Sequence, residues 1–393
     1  RIYSGVIMSE KLRFETKAIH VGNKPDEETG AVSPPIHVTS TYQQDAVGKD
    51  KGYDYSRAVN PTRQRYEENI SSLEGGDYGI AFSSGMAAIT ALFQTLSQGD
   101  HVIVGRNVYG GTYRMCVEVL SRHGIEFDFV DTRFSDQIES AIQSNTKWIF
   151  VETPTNPLLE ICDIKSTSTL CKKNGIQLVV DNTFMSPYGQ SPLALGANLV
   201  MHSATKYIGG HSDLIGGILI TNNSDLADSL YFIQKSGGAI PSPFDCWLLL
   251  RSTKTLGLRV QKQSDNALEL CHRLESHHAI ESIIYPGLAS HPQFELAKRQ
   301  QLNPNGHPIF GSMISIRLGS IEARDQFLSK INLFTLAESL GGVESLVCIP
   351  YDMTHGSVPV EMKDMMGLTE DLIRLSVGIE NLEDIYADIS EAL

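Results

Sequence analysis

Two stretches decide the reading of this chain: Gln177-Leu178-Val179-Val180-Asp181-Asn182 and Leu199-Val200-Met201-His202-Ser203-Ala204-Thr205-Lys206. Each opens as a short apolar run, the pattern of a strand buried on both faces. Each ends on a residue foreign to an apolar core. A carboxylate closing a buried strand costs several kcal/mol unless a partner offsets it. Asp181 therefore reads either as a cap leading into Asn182 or as the counter-charge of a cationic ligand atom. Lys206 follows hydroxyls at i−1 and i−3. It reads either as a surface lysine or as an amine whose pKa burial lowers, suited to Schiff-base chemistry beside a phosphate. Gly209, Gly210, Gly216 and Gly217 come next and favour the second reading, because glycine lets backbone approach a site closely.

Working outward, strand-like runs recur at Tyr78–Phe82, His101–Val104, Ile125–Val130, Trp148–Val151 and Ile218–Thr221. Helical patterns lie between many of them: Met86–Leu96 with Gly99 as its C-cap, Asp136–Gln143 and Ile164–Lys173. A further one, Tyr66–Leu73, precedes the first. Short apolar strands alternating with helices predict an α/β fold with a mostly parallel central sheet. Ligands of such sheets sit outside the carboxyl ends of the strands. There Ser83-Ser84-Gly85-Met86 is either an ordinary N-cap or a phosphate cradle at a helix start. Beyond about Arg251, a long helical pattern (Thr255–His277), the alternating run Met313–Leu318 and a final helix Asn381–Ala392 predict a smaller α+β C-terminal domain. Upstream, the chain is broken by Gly30, Pro34, Pro35, Gly48, Gly52 and Pro61. The expected division is 1–58, 59–252 and 253–393.

Composition excludes more than it names. The 393 residues carry 32 Lys and Arg against 46 Asp and Glu, a net charge of −14. Such a chain repels nucleic acid and anionic membranes unless basic residues cluster, and basic runs reach only two residues, as at Lys298-Arg299. Cys116, Cys162, Cys171, Cys246, Cys271 and Cys348 form no C-x-x-C pair, which points to a reducing compartment and away from a zinc ribbon. No apolar run approaches the roughly 20 residues of a membrane helix. Arg1 to Met8 lacks a signal-peptide layout and reads as a residual arm or as residues ahead of a native start at Met8. The expected location is the cytoplasm. No metal is expected, and the absence of any G-x-G argues against a dinucleotide fold.

A helix-start cradle, a buried aspartate and a Ser-x-Thr-Lys element together fit pyridoxal phosphate. That cofactor needs a lysine for its imine, a carboxylate for its pyridine nitrogen and donors for its phosphate. The ordered motifs then resemble one family. They are Tyr55-Ser56-Arg57…Asn60-Pro61-Thr62-Arg63, Ser83-Ser84-Gly85-Met86-Ala87-Ala88, Tyr109-Gly110-Gly111-Thr112, Glu152-Thr153-Pro154-Thr155-Asn156-Pro157, Val180-Asp181-Asn182-Thr183, His202-Ser203-Ala204-Thr205-Lys206-Tyr207 and Arg374-Leu375-Ser376-Val377-Gly378. From about Thr16 onward the chain resembles the Cys/Met-metabolism (transsulfuration) family of pyridoxal-phosphate enzymes.

The resemblance implies an aspartate-aminotransferase-type fold and gives each residue a role. Lys206 holds the cofactor and moves protons, and Asp181 pairs with the pyridinium. Gly85, Met86, Ser203 and Thr205 bind phosphate. Tyr55 and Arg57 reach the phosphate of a neighbouring subunit from the 1–58 arm, which implies active sites shared across a dimer within a homotetramer. Tyr109 stacks on the cofactor and is a candidate acid or base. Arg374 clamps the substrate carboxylate with Asn156 and Ser339, although by strand alternation alone Arg374 is an outward-facing residue. Gly111 departs from the cysteine of bacterial methionine γ-lyases. Glu338 resembles cystathionine γ-lyases and γ-synthases, as an acidic group for the distal ammonium of cystathionine. Asp54 and Arg114 are further candidates for the distal end, or ordinary surface charges. The implied reaction is γ-elimination of cystathionine, with γ-replacement as the alternative and O-acetylhomoserine sulfhydrylation or β-elimination as remoter branches.

Overall fold

Seven strands with almost no exposed residue form the centre of the computed structural model, which describes residues 12–356 and 358–393. Residues 1–7 and the start of the expected arm therefore lie outside the described residues. The strands are β1 Tyr78–Phe82, β2 His101–Gly105, β3 Glu126–Val130, β4 Thr146–Glu152, β5 Gln177–Asp181, β6 Leu199–Ser203 and β7 Gly217–Thr221. Their order is β1-β7-β6-β5-β4-β2-β3. Strands β6, β5, β4, β2 and β3 pair in parallel, while β7 runs antiparallel to both β1 and β6. Successive residues point to opposite faces and both faces are covered. Val102, Val104, Trp148, Phe150 and Val179 enter one apolar layer, and Ile103, Ile149, Val151, Leu178 and Val180 enter the other.

A second sheet has five strands: β8 Ser282–Ile284, β9 Met313–Arg317, β10 Thr335–Leu336, β11 Leu346–Cys348 and β12 Leu372–Ser376, in the order β10-β11-β12-β9-β8. It packs with the helices Leu256–Leu274 and Leu382–Ala392 around Ile314, Ile316, Val347, Ile373 and Leu375. The mostly parallel sheet and the smaller α+β unit agree with the sequence reading.

Three local expectations need correction. Pro61 does not break the chain; it opens a helix over Pro61–Glu74, with Asn60 Oδ1 accepting from the amides of Thr62 and Arg63. Proline at the first helical position lacks only an N–H that would have no helical partner. The helix after Ser84 spans Gly85–Phe93, and Gly99 is not its cap. Thr95 and Leu96 bond back only three residues, to Leu92 and Phe93, so the backbone leaves the α-helix while Leu96 still packs inward. Arg374 does not face outward. It is 2% exposed, and every residue of β12 is buried. The alternation reports two different buried surfaces, not one buried and one wet.

Candidate active site

The register of the sheet assembles the site before any side chain is considered. Gly217 at the start of β7 sits between Phe82 of β1 and Ser203 of β6. This brings the Ser83-Ser84-Gly85 turn against the end of β6. A Cβ added to Gly85 would lie 3.0 Å from Ser203 Cβ, and one added to Gly217 would lie 2.7 Å from Gly85 N. A side chain at Gly217 would collide with the Ser84 carbonyl, and one at Gly85 would crowd Ser203, so glycine lets the backbones approach. Ser84 Oγ caps the helix by accepting from Ala87 N, which leaves the amides of Gly85 and Met86 at the front of the Gly85–Phe93 helix, where anions are favoured.

Asp181 ends β5 buried, and Thr183 ties it to β6. Asp181 Oδ1 accepts from the Thr183 amide (3.0 Å) and hydroxyl (2.5 Å), and Thr183 Oγ1 accepts from Ser203 N at 2.9 Å. Burial raises the Asp181 carboxyl above the usual range, opposed by the Thr183 hydrogen bonds and by His202. His202 Nε2 lies 2.7 Å from Glu74 Oε2, and both side chains are buried.

Lys206 lies in the loop from β6 to β7, half-buried, and Nζ donates to Ser339 Oγ at 2.9 Å. Burial and the Arg374 charge push its pKa down to about 8, against a smaller upward pull from Glu338. Thr205 Oγ1 is engaged with Gly216 N at 3.1 Å. Arg374 Nη1 donates to Asn156 Oδ1 (2.9 Å) and Nη2 to Ser339 O (2.8 Å), while buried Nε has no partner among the described residues. Lys206, Ser339, Arg374 and Asn156 thus form one connected cluster. Tyr109 is 40% exposed, its amide bonded to Glu152 Oε2. Glu338 is exposed beside Ser339.

The remaining expected residues lie elsewhere in the chain. Arg57 donates to Lys235 O at 2.5 Å and sits over the Tyr55 ring, so within one chain the pair engages the end of the Ser224–Gly237 helix. Asp54 is exposed and accepts from Tyr55 N at 2.6 Å. Arg114 is exposed at the end of the Gly110–Arg114 helix.

Some residues with structural work here carried no role in the sequence reading. Arg63 is buried and donates to Ser56 O (2.8 Å) and Ala58 O (2.7 Å), gripping the backbone on either side of Arg57. Glu152 accepts from both Tyr109 and Asn156 amides. Its strand-end carboxylate carries the same signal that singled out Asp181. His355, fully buried, is pushed down to about 4 by burial and the Arg374 and Lys363 charges. The Glu74–His202 pair joins residues too distant in sequence for any motif to link them.

A family model described as Cys/Met metabolism PLP-dependent enzyme matches residues 15–393. The chain belongs to that family. Similar members differ in their named reactions. A cystathionine gamma-lyase of Bacillus subtilis (strain 168) is 50% identical over 97% of this chain and 99% of its own length. A cystathionine beta-lyase of Lactococcus lactis subsp. cremoris (strain MG1363) is 49% identical over 97% and 98%. A cystathionine gamma-synthase of Mycobacterium leprae (strain TN) is 46% identical over 96% of each. The solved structure of a cystathionine gamma-lyase from Lactobacillus plantarum, complexed with L-serine, superposes with a TM-score of 0.93 at 45% identity, covering 97% of this chain and 98% of that one.

Members of this Cys/Met-metabolism family use pyridoxal phosphate, and the donor set here suits it. The amine of Lys206 has its pKa depressed, a buried carboxylate stands at the adjacent strand end, and a capped helix start meets Ser203 across glycine contacts too tight for a Cβ. Arg374 keeps a buried donor without a partner among the described residues, which suits a carboxylate clamp. Among the described residues no helix is long and apolar enough to cross a membrane.

Proposed function

We propose that this chain is a cystathionine γ-lyase, converting L-cystathionine and water to cysteine, 2-oxobutanoate and ammonia. The observation that carries the reading is Glu338, an exposed carboxylate next to Ser339 whose charge acts on both Lys206 and Arg374. A substrate with its α-carboxylate on Arg374 extends its distal ammonium toward that acidic rim. The relative named cystathionine gamma-lyase supports the same choice.

Bound pyridoxal phosphate supplies the electron sink that stabilises carbanion character at Cα and Cβ. The chain's residues do the rest. Gly85, Met86, Ser203 and Thr205 bind the phosphate, and Asp181 pairs with the ring nitrogen. Arg374, oriented by Asn156, holds the α-carboxylate. Tyr109 or Lys206, the latter with its pKa near 8, would remove the Cα proton. Lys206, as the free amine after handing on any proton it had taken, would then accept the Cβ proton, and the departing sulfur would leave protonated as the cysteine thiol. Asp54 and Arg114 assist Glu338 with the distal ammonium and carboxylate.

We also infer a homotetramer in which Tyr55 and Arg57 complete the partner's site, with an arm over 1–58, a cofactor domain over 59–252 and a C-terminal domain over 253–393. The six buried, unpaired cysteines suit a cytoplasmic setting. γ-Replacement, the reaction of a cystathionine γ-synthase, is the second reading, because Glu338 would serve its product equally well. Purified holoenzyme given cystathionine alone, then an O-acylhomoserine with cysteine, separates them. Release of cysteine and 2-oxobutanoate is expected. Homocysteine with pyruvate, or faster cystathionine formation than breakdown, overturns the reading.

A further inference from the structure

Glu152 closes β4 opposite Asp181 in the β4–β5 register and is 6% exposed. Its two oxygens serve two different loops. Oε2 accepts from the Tyr109 amide at 2.9 Å, in the segment after β2, and Oε1 accepts from the Asn156 amide at 2.9 Å, in the segment after β4. Two N–H donors facing one buried side chain demand two acceptors. A carboxylate offers both, whereas an amide of the same shape would turn an N–H toward one of them. That donor count accounts for an acidic residue at a position where burial and the Asp181 charge both oppose ionisation.

The geometry points to Glu152 as a positioning residue that holds Tyr109 and Asn156 in one frame, and so sets the Tyr109 ring and the substrate-carboxylate clamp together. The inference rests on the roles proposed above for Tyr109 and Asn156. From Asn156 the connection continues through its Oδ1 to Arg374, from Arg374 Nη2 to Ser339 O, and from Ser339 Oγ to Lys206 Nζ. A shift of the Asn156 amide therefore moves the clamp and not only the loop.

The test uses holoenzyme carrying Glu152→Gln, with Glu152→Asp as the conservative variant that keeps both acceptors on a shorter stem. Loss of one hydrogen bond plus a facing donor pair is expected to raise KM for cystathionine about tenfold in Glu152→Gln, with Glu152→Asp intermediate. The visible circular dichroism of the bound cofactor, normalised to cofactor content, is expected to change with it. A lower Tm with KM and normalised dichroism equal to wild type overturns the proposal, because that is the behaviour of a merely structural residue. If Glu152→Gln does not fold, Glu152→Asp decides alone: wild-type KM and dichroism overturn the proposal, and shifted values support it. If the wild type does not turn over cystathionine, the functional reading fails, while the dichroism, which needs no substrate, still decides the role of Glu152.

Discussion

Ser339 holds Lys206 and Arg374 at once: its hydroxyl accepts from Lys206 Nζ at 2.9 Å and its carbonyl from Arg374 Nη2 at 2.8 Å. It does so with φ at +89°, in the left-handed region that a residue with a Cβ rarely occupies. One residue whose backbone conformation is unfavourable by itself therefore ties the loop after β6 to β12.

That arrangement separates two costs. Ser339→Gly and Ser339→Ala both remove the hydroxyl, but only glycine relieves the left-handed backbone, a conformation that costs roughly 1–2 kcal/mol in other residues. The glycine variant should be more stable than the alanine variant by about 1 kcal/mol, with both losing the Lys206 contact. Denaturant unfolding of the two apoproteins checks this; equal stabilities would mean that the surrounding contacts, and not φ, determine the strain.

Lys206 should titrate with its pKa near 8, pushed there by burial first and by Arg374 second. Glu338 pulls the other way, since its negative charge favours the protonated amine, so Glu338→Gln should lower the midpoint further. Only the free amine attacks an aldehyde. The rate at which apoprotein captures pyridoxal phosphate should therefore rise with pH through about 8 in the wild type, and at lower pH in Glu338→Gln. Stopped-flow absorbance across a pH series measures it. A midpoint near the ordinary lysine value of about 10.4 would show that the amine is effectively solvated.

Asp181 and Lys206 were legible because a polar residue at the end of an apolar run contradicts its surroundings, and the contradiction needs only local sequence. Glu152 meets the same criterion, following Val151 at the end of β4 as Asp181 follows Val180 at the end of β5, but its partners, the amides of Tyr109 and Asn156, are set by the fold. Alternation alone misplaces Arg374, because it implies a wet face only when one face of the sheet is uncovered, and β12 is covered on both. Pro61 resembled a breaker because proline's meaning depends on whether it falls inside a helix or at its first turn. The Glu74–His202 pair and the grip of Arg63 on the Ser56 and Ala58 carbonyls are products of the fold itself.

Gly217 makes the proposed phosphate cradle vulnerable to one methyl group. A Cβ there collides with the backbone carbonyl of Ser84 and lies 2.7 Å from Gly85 N, atoms that cannot step aside without moving the helix start. At neighbouring Gly216 the nearest atom is Leu249 Cδ1 at 3.3 Å, the flexible end of a side chain. Gly217→Ala should therefore weaken retention of pyridoxal phosphate on dialysis far more than Gly216→Ala. If the two variants retain cofactor equally, the phosphate does not depend on the Ser84–Gly85 geometry.

Arg57 offers a test of whether the active site is shared between subunits. Within its own chain its guanidinium is occupied at Lys235 O and over the Tyr55 ring, and the segment around it is largely exposed. Arg63 fixes the backbone on both sides of it, so its direction is set by the fold and not by a flexible tail. If Arg57 serves the partner's phosphate, Arg57→Ala and Lys206→Ala homo-oligomers should each be inactive, the first through weak cofactor binding and the second through loss of the amine. Mixed oligomers of the two variants should regain activity, because one site then combines Lys206 of one chain with Arg57 of the other. Mixing under conditions that exchange subunits, followed by a cysteine-release assay, measures the recovery. Absence of recovery in oligomers shown by mass to be mixed would mean that Arg57 acts within its own chain, and the shared-site reading would have to be abandoned.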